Sequence, residues 1–332
     1  MNLIVTIDTE ADNQWKHGID ISTQNAKFIP EFQSRCEKHG IRPTYLITSE
    51  IAADEFAASY FGTLVAAGKA EIGSHLHPWT TPPFRDAPGL RYNDEVHAYA
   101  SQLPRSLLEA KLVNLTRQVT EAVGKRPTSF RAGRFGFSME YAGVLAQLGY
   151  LVDSSVTPMT SWSRYPGLNG RGGPNFRTYP VQPYVMQLGG AVLMEIPVTV
   201  LVTSRLLQRR PRLLFTYKVL ARLLELVVGN RRVTWQPLWL QPSPEMDIGK
   251  LRLVWAEATR RGLQYAVLMF HSSELMPGGS PYRPTPESVK ELLDLLSSFF
   301  AEIRGAGAGS STLSEAAAGL VGSASVLTGQ DT

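Results

Sequence analysis

The chain has 332 residues, 43% hydrophobic and 19% charged, which is enough apolar content for a large core and excludes global disorder. Its net charge of +4 is local: between Leu201 and Arg232 eight Arg or Lys residues face one acid, Glu225, so that segment carries +7 and the remainder −3. A broad nucleic-acid-binding surface is thereby excluded, and the basicity points to one patch.

The single cysteine, Cys36, rules out an internal disulfide framework and suits a reducing compartment. The opening "MNLIVTIDTE" alternates like a strand and shows no basic region or cleavage site of a secretory signal. No run reaches the ~18 charge-free apolar residues that a membrane-spanning helix needs. These features predict a cytoplasmic protein.

In chain order, short runs rich in Val, Ile, Tyr and Phe alternate with stretches of helical period, the pattern of βα units around a parallel sheet. "NLIVTID" predicts the first strand and "QNAKFIPEFQSRCEKHG" a helix ending at Gly40. "RPTYLIT" predicts the second strand, "AADEFAASYFGTLVAAG" the next helix and "AEIGSHLH" the third strand. A helix is expected from Leu107 to Val123, then a strand at "PTSFRA" and a helix at "SMEYAGVLAQLG". "YLVDSS", "VLMEIPV" and "QYAVLMFH" are later strands. The Gly-, Pro- and Arg-rich stretch from Trp162 to Arg177 reads as a long loop.

"TPESVKELLDLLSSFFAEIRG" has the marks of a helix, with Thr285 as N-cap, Pro286 at its first position and Gly305 at its stop. Farther on, "TLSEAAAGL" is a candidate short helix and residues 321–332 a flexible tail. Repeated βα units over residues 1–320 favour a closed or nearly closed barrel over an open sheet, with a basic helical insertion at 201–232. In such barrels the chemistry sits on the loops after the strand C-termini.

The chemistry-bearing residues fall at that rim. In "EIGSHLHPWTTPPF" His75 and His77 lie two apart, so an extended backbone points both the same way. Asp8 and Glu10 in "TIDTE" obey the same rule after the first strand. Two imidazoles and a carboxylate suit zinc or a similar divalent ion. A lone His-x-His more often hydrogen-bonds within a loop; the acidic neighbour reverses that preference. Arg131 in "FRAGRFGFS" is flanked by Phe130 and Ala132, where a buried guanidinium would hold a carboxylate. His271 ends an apolar run and is placed to act as a general acid. His39 reads as a helix cap and His97 is assigned nothing, while Trp15 and His17 follow the "DTE" loop toward substrate.

"TIDTE", "EIGSHLHPW", "FRAGRFGFS", "GYLVDSSVTP", "EIPV" and "MFHSSELMPGG" occur in the order and rough spacing of the NodB-like polysaccharide deacetylases, carbohydrate esterase family 4. The chain resembles that family from Met1 to about Leu320. The resemblance implies an irregular (β/α) barrel that removes N-acetyl groups from amino sugars by metal-assisted hydrolysis. It implies Asp8 as general base, Arg131 as the residue orienting it, His75 as a metal ligand and His271 as general acid. Asp153 would be the acid that supports His271, and a backbone N–H near Phe135 would steady the oxyanion. Where the family has a second Asp after the base this chain has Thr9, and where it has a second His four residues after the first this chain has Trp79. Glu10 and His77 are therefore expected to take the metal roles. Trp79 and Phe84 would offer flat faces to a sugar ring.

The resemblance thus implies a deacetylase of cell-surface polysaccharide biosynthesis acting on an N-acetylated sugar or glycan, with zinc as cofactor. A deacylase or cyclic-amide hydrolase on a small substrate, and an inactive glycan-binding relative, stay open beside it. From Leu213 to Val228 the basic segment has a polar stripe at Lys218, Arg222 and Glu225, narrow for a surface helix. It reads either as a helix covering the barrel or a dimer contact, or as a peripheral anchor on anionic lipid.

Overall fold

The computed structural model describes residues 1–12, 14, 21–84, 99–188, 190–202, 237–321 and 325–327. The basic insertion expected at 201–232 lies outside them apart from its first two residues, as do Trp15, His17 and His97.

Strand β1 (Asn2–Thr9) lies inside the sheet, with a strand paired on each side. It is buried along nearly its whole length, which is why it reads as an apolar run rather than a clean alternation. Helix α1 (Ile29–Lys38) follows a 3₁₀ turn at Gln24–Phe28, so the single helix expected there is two pieces. Then come β2 (Thr44–Ile47), the short α2 (Ser49–Ala52) and α3 (Glu55–Ala66). Asp54 breaks what reads as one helix, because its side chain caps α3 by accepting from Ala57 N at 2.8 Å. Next are β3 (Glu71–Leu76), α4 (Arg105–Val123), β4 (Ser129–Ala132), α5 (Met139–Gln147) and β5 (Val152–Asp153).

The second half adds β6 (Tyr184–Leu188), β7 (Ala191–Glu195), β8 (Val200–Leu201), β9 (Leu238–Trp239), α6 (Ile248–Arg260) and β10 (Tyr265–His271). It ends with α7 (Pro286–Gly305), β11 (Gly309–Ser310), α8 (Leu313–Leu320) and β12 (Ser325–Leu327). Helix α7 runs through Gly305, and the left-handed exit is made by Gly307 at φ +84°. Part of the tail expected to fray is a strand instead. Ser325–Leu327 pairs in parallel with Tyr184–Met186, satisfying an edge that would otherwise be open. Among the described residues no helix is long and apolar enough to cross a membrane.

The sheet order is β10-β1-β2-β3-β4-β5-β7-β6-β12, with β11 also on β1 and only the β6–β7 pair antiparallel. The sheet curls, and the gap between its two sides is bridged by the segment leaving β7. Ile196 N and Val198 N donate to Asp153 O and Val156 O, at 2.9 and 3.0 Å, while Thr199 N reaches Val267 O on β10 at 3.3 Å. The result is an irregular (β/α) barrel.

Its interior is layered. Ile4, Leu46, Val152, Met194 and Val267 form the bottom layer, plugged by the apolar face of α8 through Leu313, Ala316, Ala317 and Leu320. Burying each large side chain there contributes ~1.5–3 kcal/mol. Two residues up each strand the character changes: on β1 from Ile4 to Thr6 to Asp8, on β10 from Val267 to Met269 to His271. That period of two carries the polar groups to the C-terminal mouth.

Candidate metal centre and active-site cavity

At the mouth Glu10, His75 and His77 form a buried group whose ligand atoms lie within 4.8 Å of one another. His75 Nε2 and His77 Nε2 are 3.0 Å apart, and Glu10 Oε2 is 3.7 and 3.1 Å from them. His75 Nδ1 lies 2.9 Å from the carbonyl oxygen of Arg131, to which it donates, so the lone pair of a neutral ring sits on Nε2 and faces the group. Two imidazole nitrogens and a carboxylate oxygen aimed at one point need a cation or a proton between them. The donor set therefore fits a divalent ion. The backbone of Glu10 is pinned from both sides, its N–H donating to Ser272 Oγ and its carbonyl accepting from Asn25 Nδ2.

Beside this group lies a second, separate pair. Arg131 Nη1 donates to Asp8 Oδ1 at 2.6 Å and to Thr6 Oγ1 at 3.0 Å. Its Nε and Nη2 donate to Ser154 O and Ser154 Oγ, so the guanidinium is held on all its edges and fully buried. His271 is the register neighbour of Asp8 on the adjacent strand.

The charges reinforce one another. Burial pushes the Asp8 carboxyl up, but Arg131, His75 and His271 outweigh it and hold the group below the usual carboxylate range. For Glu10, burial is likewise outweighed by the hydrogen bonds from His75 and His77, and the carboxyl is held well down. Burial pushes His271 down, yet Glu274, Glu10 and Asp8 raise it to about 9. Its Nδ1 is 3.5 Å from Glu274 Oε1, a carboxylate that also accepts from His271 N at 3.2 Å.

Glu274, not Asp153, is thus the acid against His271. Val152 points into the barrel with the bottom layer, so Asp153 points out of it. There Asp153 accepts from Ser155 N and Ser155 Oγ, at 2.9 and 2.7 Å, and lies beside Glu195 on β7. Burial pushes both of those carboxyls up. Glu274 stood three residues after His271 in "HSSE", the spacing of a capping box, and that was the signal for it. Thr6 and Ser154 carried no signal of their own.

The two departures from the deacetylase pattern have structural answers. Thr9 faces away and donates to Ile7 O at 3.1 Å. Trp79 packs against His77 at a tilt of 34° with ring centres 4.4 Å apart and donates to Gln14 Oε1 at 3.2 Å, so it holds the ring of His77 in place. Phe84 is a correction. It does not line the cavity, because the buried Lys111 draws its loop onto α4, donating to Pro78 O and Pro83 O at 2.9 and 3.0 Å and lying 5.0 Å from the Phe84 ring centre.

These groups open into a cavity of about 610 Å³ whose lining includes Asp8, Glu10, His75, His77 and His271. Trp79 and Phe135 line it, joined by Trp162 and Trp239, which sequence reasoning did not single out. Arg134 and Phe135 both take left-handed backbone, at φ +53° and +57°, an arrangement that folds the loop after β4 sharply against the cavity.

No family model matches the sequence, and no curated protein matches it. Among solved structures the chain is similar to a "putative polysaccharide deacetylase" from Mycobacterium smegmatis, with a TM-score of 0.54 and 12% identity over 96% of this chain and 90% of that one. It is also similar to 4-alpha-glucanotransferase from Thermococcus litoralis, with a TM-score of 0.51 and 14% identity over 99% of this chain and 41% of that one. At such identities the likeness is one of fold: the chain shares an irregular barrel with both. Two differently named activities share that barrel, so the reaction must be argued from the side chains at the mouth.

Proposed function

We propose that the protein is a metal-dependent amide hydrolase that removes an N-acetyl group from an amino sugar or glycan. The observation that carries this reading is the convergence of Glu10, His75 and His77 beside the enclosed Asp8–Arg131 pair, in one cavity with His271. The likeness in fold to a named deacetylase supports it.

Glu10, His75 and His77 would hold the ion, which when bound supplies a Lewis acid that polarises the acyl carbonyl and acidifies the attacking water. Asp8 takes the proton of that water. Arg131 keeps it anionic and aimed, since a bidentate-capable guanidinium fixed by Ser154 and Thr6 cannot swing away. The peptide N–H of Phe135, on the cavity wall, is assigned to the developing oxyanion. His271, held protonated by Glu274 and the nearby carboxylates, gives its proton to the departing amine nitrogen.

The test is acetate release by zinc-loaded protein from N-acetylglucosamine and its oligomers. Release that disappears in His75→Ala supports the reading. Stoichiometric zinc without release from any of these sugars would overturn it in favour of a binding protein, and release that persists in His75→Ala would overturn the metal assignment.

A further inference from the structure

We infer that the cavity takes one free or chain-terminal acylated sugar unit, end-on, and excludes the interior of a polymer; this rests on the amide-hydrolase reading above. A site that works along a polymer needs a mouth open at two opposite ends. Here side chains from successive segments stand around the mouth: Gln14 after β1, Trp79 after β3, Phe135 after β4, Trp162 beyond β5, Trp239 on β9 and Tyr282 after β10. Five of these follow strands of the one curled sheet, and Trp239, on the separate β8–β9 pair, packs on Phe135 and Trp162, so the six stand at several points of the rim rather than along one side of a trough. The volume of about 610 Å³ falls within the ~300–1,000 Å³ of pockets that enclose one small molecule.

The wall beyond β5 is built as a fixed part. Residues 157–177 leave the barrel and double back as a ribbon bridged at Ser161–Asn175 and Pro166–Gly172. Gln102 clamps it with both ends of its amide: Nε2 donates to Arg171 O and Gly172 O at 3.2 and 3.0 Å, and Oε1 accepts from Leu168 N at 2.7 Å. The Tyr99 hydroxyl donates to Tyr165 O at 3.2 Å, and Gly173 packs so closely on that ring that a Cβ would lie 2.3 Å from Tyr99 Cζ. Trp162 is locked in turn. Its indole N–H donates to Thr157 Oγ1 at 3.0 Å, its ring stacks on Phe135 at 5.1 Å, and Trp239 meets it edge-on at 6.3 Å.

A polymer crossing on this side would have to lift the ribbon and break these hydrogen bonds. The aromatic faces instead suit the C–H faces of one sugar ring, and the amides of Gln14 and Gln241 suit its hydroxyls.

The experiment titrates zinc-loaded protein with N-acetylglucosamine and with its hexamer, following tryptophan fluorescence, and maps lost acetyl groups by mass spectrometry. The expected result is dissociation constants for monomer and hexamer within about threefold of each other, both raised at least ~10-fold by Trp162→Ala. Gln102→Ala, which loosens only the ribbon, is expected to let the hexamer bind more tightly than the monomer. Affinity climbing ~10-fold or more from monomer to hexamer in the unaltered protein, quenching by neither sugar, or acetate lost from interior units overturns the inference. Binding in the expected pattern without acetate release would count against the hydrolase reading and leave the end-on cavity standing.

Discussion

The Arg131 guanidinium lies 2.6 Å from the Asp8 carboxylate, and its own backbone carbonyl accepts from His75 Nδ1 at 2.9 Å. One residue of β4 therefore sets both the orientation of the carboxylate on β1 and the tautomer of the imidazole on β3. Neither neighbour can be repositioned without disturbing the other.

Breaking the pair with Arg131→Met should destabilise the fold by about 3–5 kcal/mol, because it leaves Asp8 buried and unpartnered. The sign of the pH dependence should also reverse. In the native protein the Asp8 carboxyl is held low, so its stabilising contribution is present above the unfolded value of about 3.9 and lost as pH falls through the folded one. In the variant burial, the largest influence on the group, is opposed only by His75 and His271, so the folded value rises and stability recovers as pH falls. Denaturant unfolding at pH 7 and pH 5 should show the gap between the two proteins narrowing; an unchanged gap would refute the account.

Glu10→Gln and His77→Ala should each weaken zinc binding by more than the ~10–100-fold typical of losing an outer partner of a ligand. Thr9→Ala should leave it intact, since that hydroxyl bonds Ile7 O instead. Competition against a chromophoric chelator measures all three. Native affinity in the first two would put the ion elsewhere.

Activity should fall as pH rises through about 9, where His271 gives up the proton it has to donate. Glu274→Gln should move that alkaline limb down by ~1–2 pH units, because an opposite charge at this range shifts a titration by about that much. His271→Ala should cost ~10²–10⁴-fold in rate. The stability linkage has the matching sign: a raised histidine stabilises fully below ~6.5, and the contribution is lost as pH climbs through the folded value. A pH–rate profile of Glu274→Gln that overlays the native one would remove Glu274 from the mechanism.

Gly133 sits where a Cβ would lie 2.2 Å from His77 Cδ2 and 2.7 Å from Leu76 O. Gly133→Ala should therefore destabilise by ~1–3 kcal/mol, as overpacking does, and should also displace His77 and lower zinc affinity. Gly143→Ala is the control: beyond its own turn of helix nothing lies within 4 Å of its Cβ, and in the middle of α5 it should stabilise by ~0.5–1 kcal/mol. Thermal unfolding with and without zinc separates the two effects, since a displaced ligand shrinks the zinc-dependent shift.

The sequence by itself determined the repeating strands and helices, the strand ends as the place of the chemistry, and the pairings at spacing two that put Asp8 with Glu10 and His75 with His77 on common faces. These follow from local geometry, since a period of two or of 3.6 is written in neighbouring residues. Phe130 and Ala132 likewise told that Arg131 is enclosed. Tertiary structure alone decided which face of a short strand looks inward. "YLVDSS" reads equally well with Asp153 or Ser154 inside, and only the packing of Val152 against Ile4 and Leu46 chooses Ser154. It also decided that Glu274 meets His271, that Lys111 draws Phe84 off the cavity, and that Trp162 on a distant ribbon stacks on Phe135. Such contacts depend on sheet register and curl, which sum interactions over the whole chain and leave no trace in any one stretch of it.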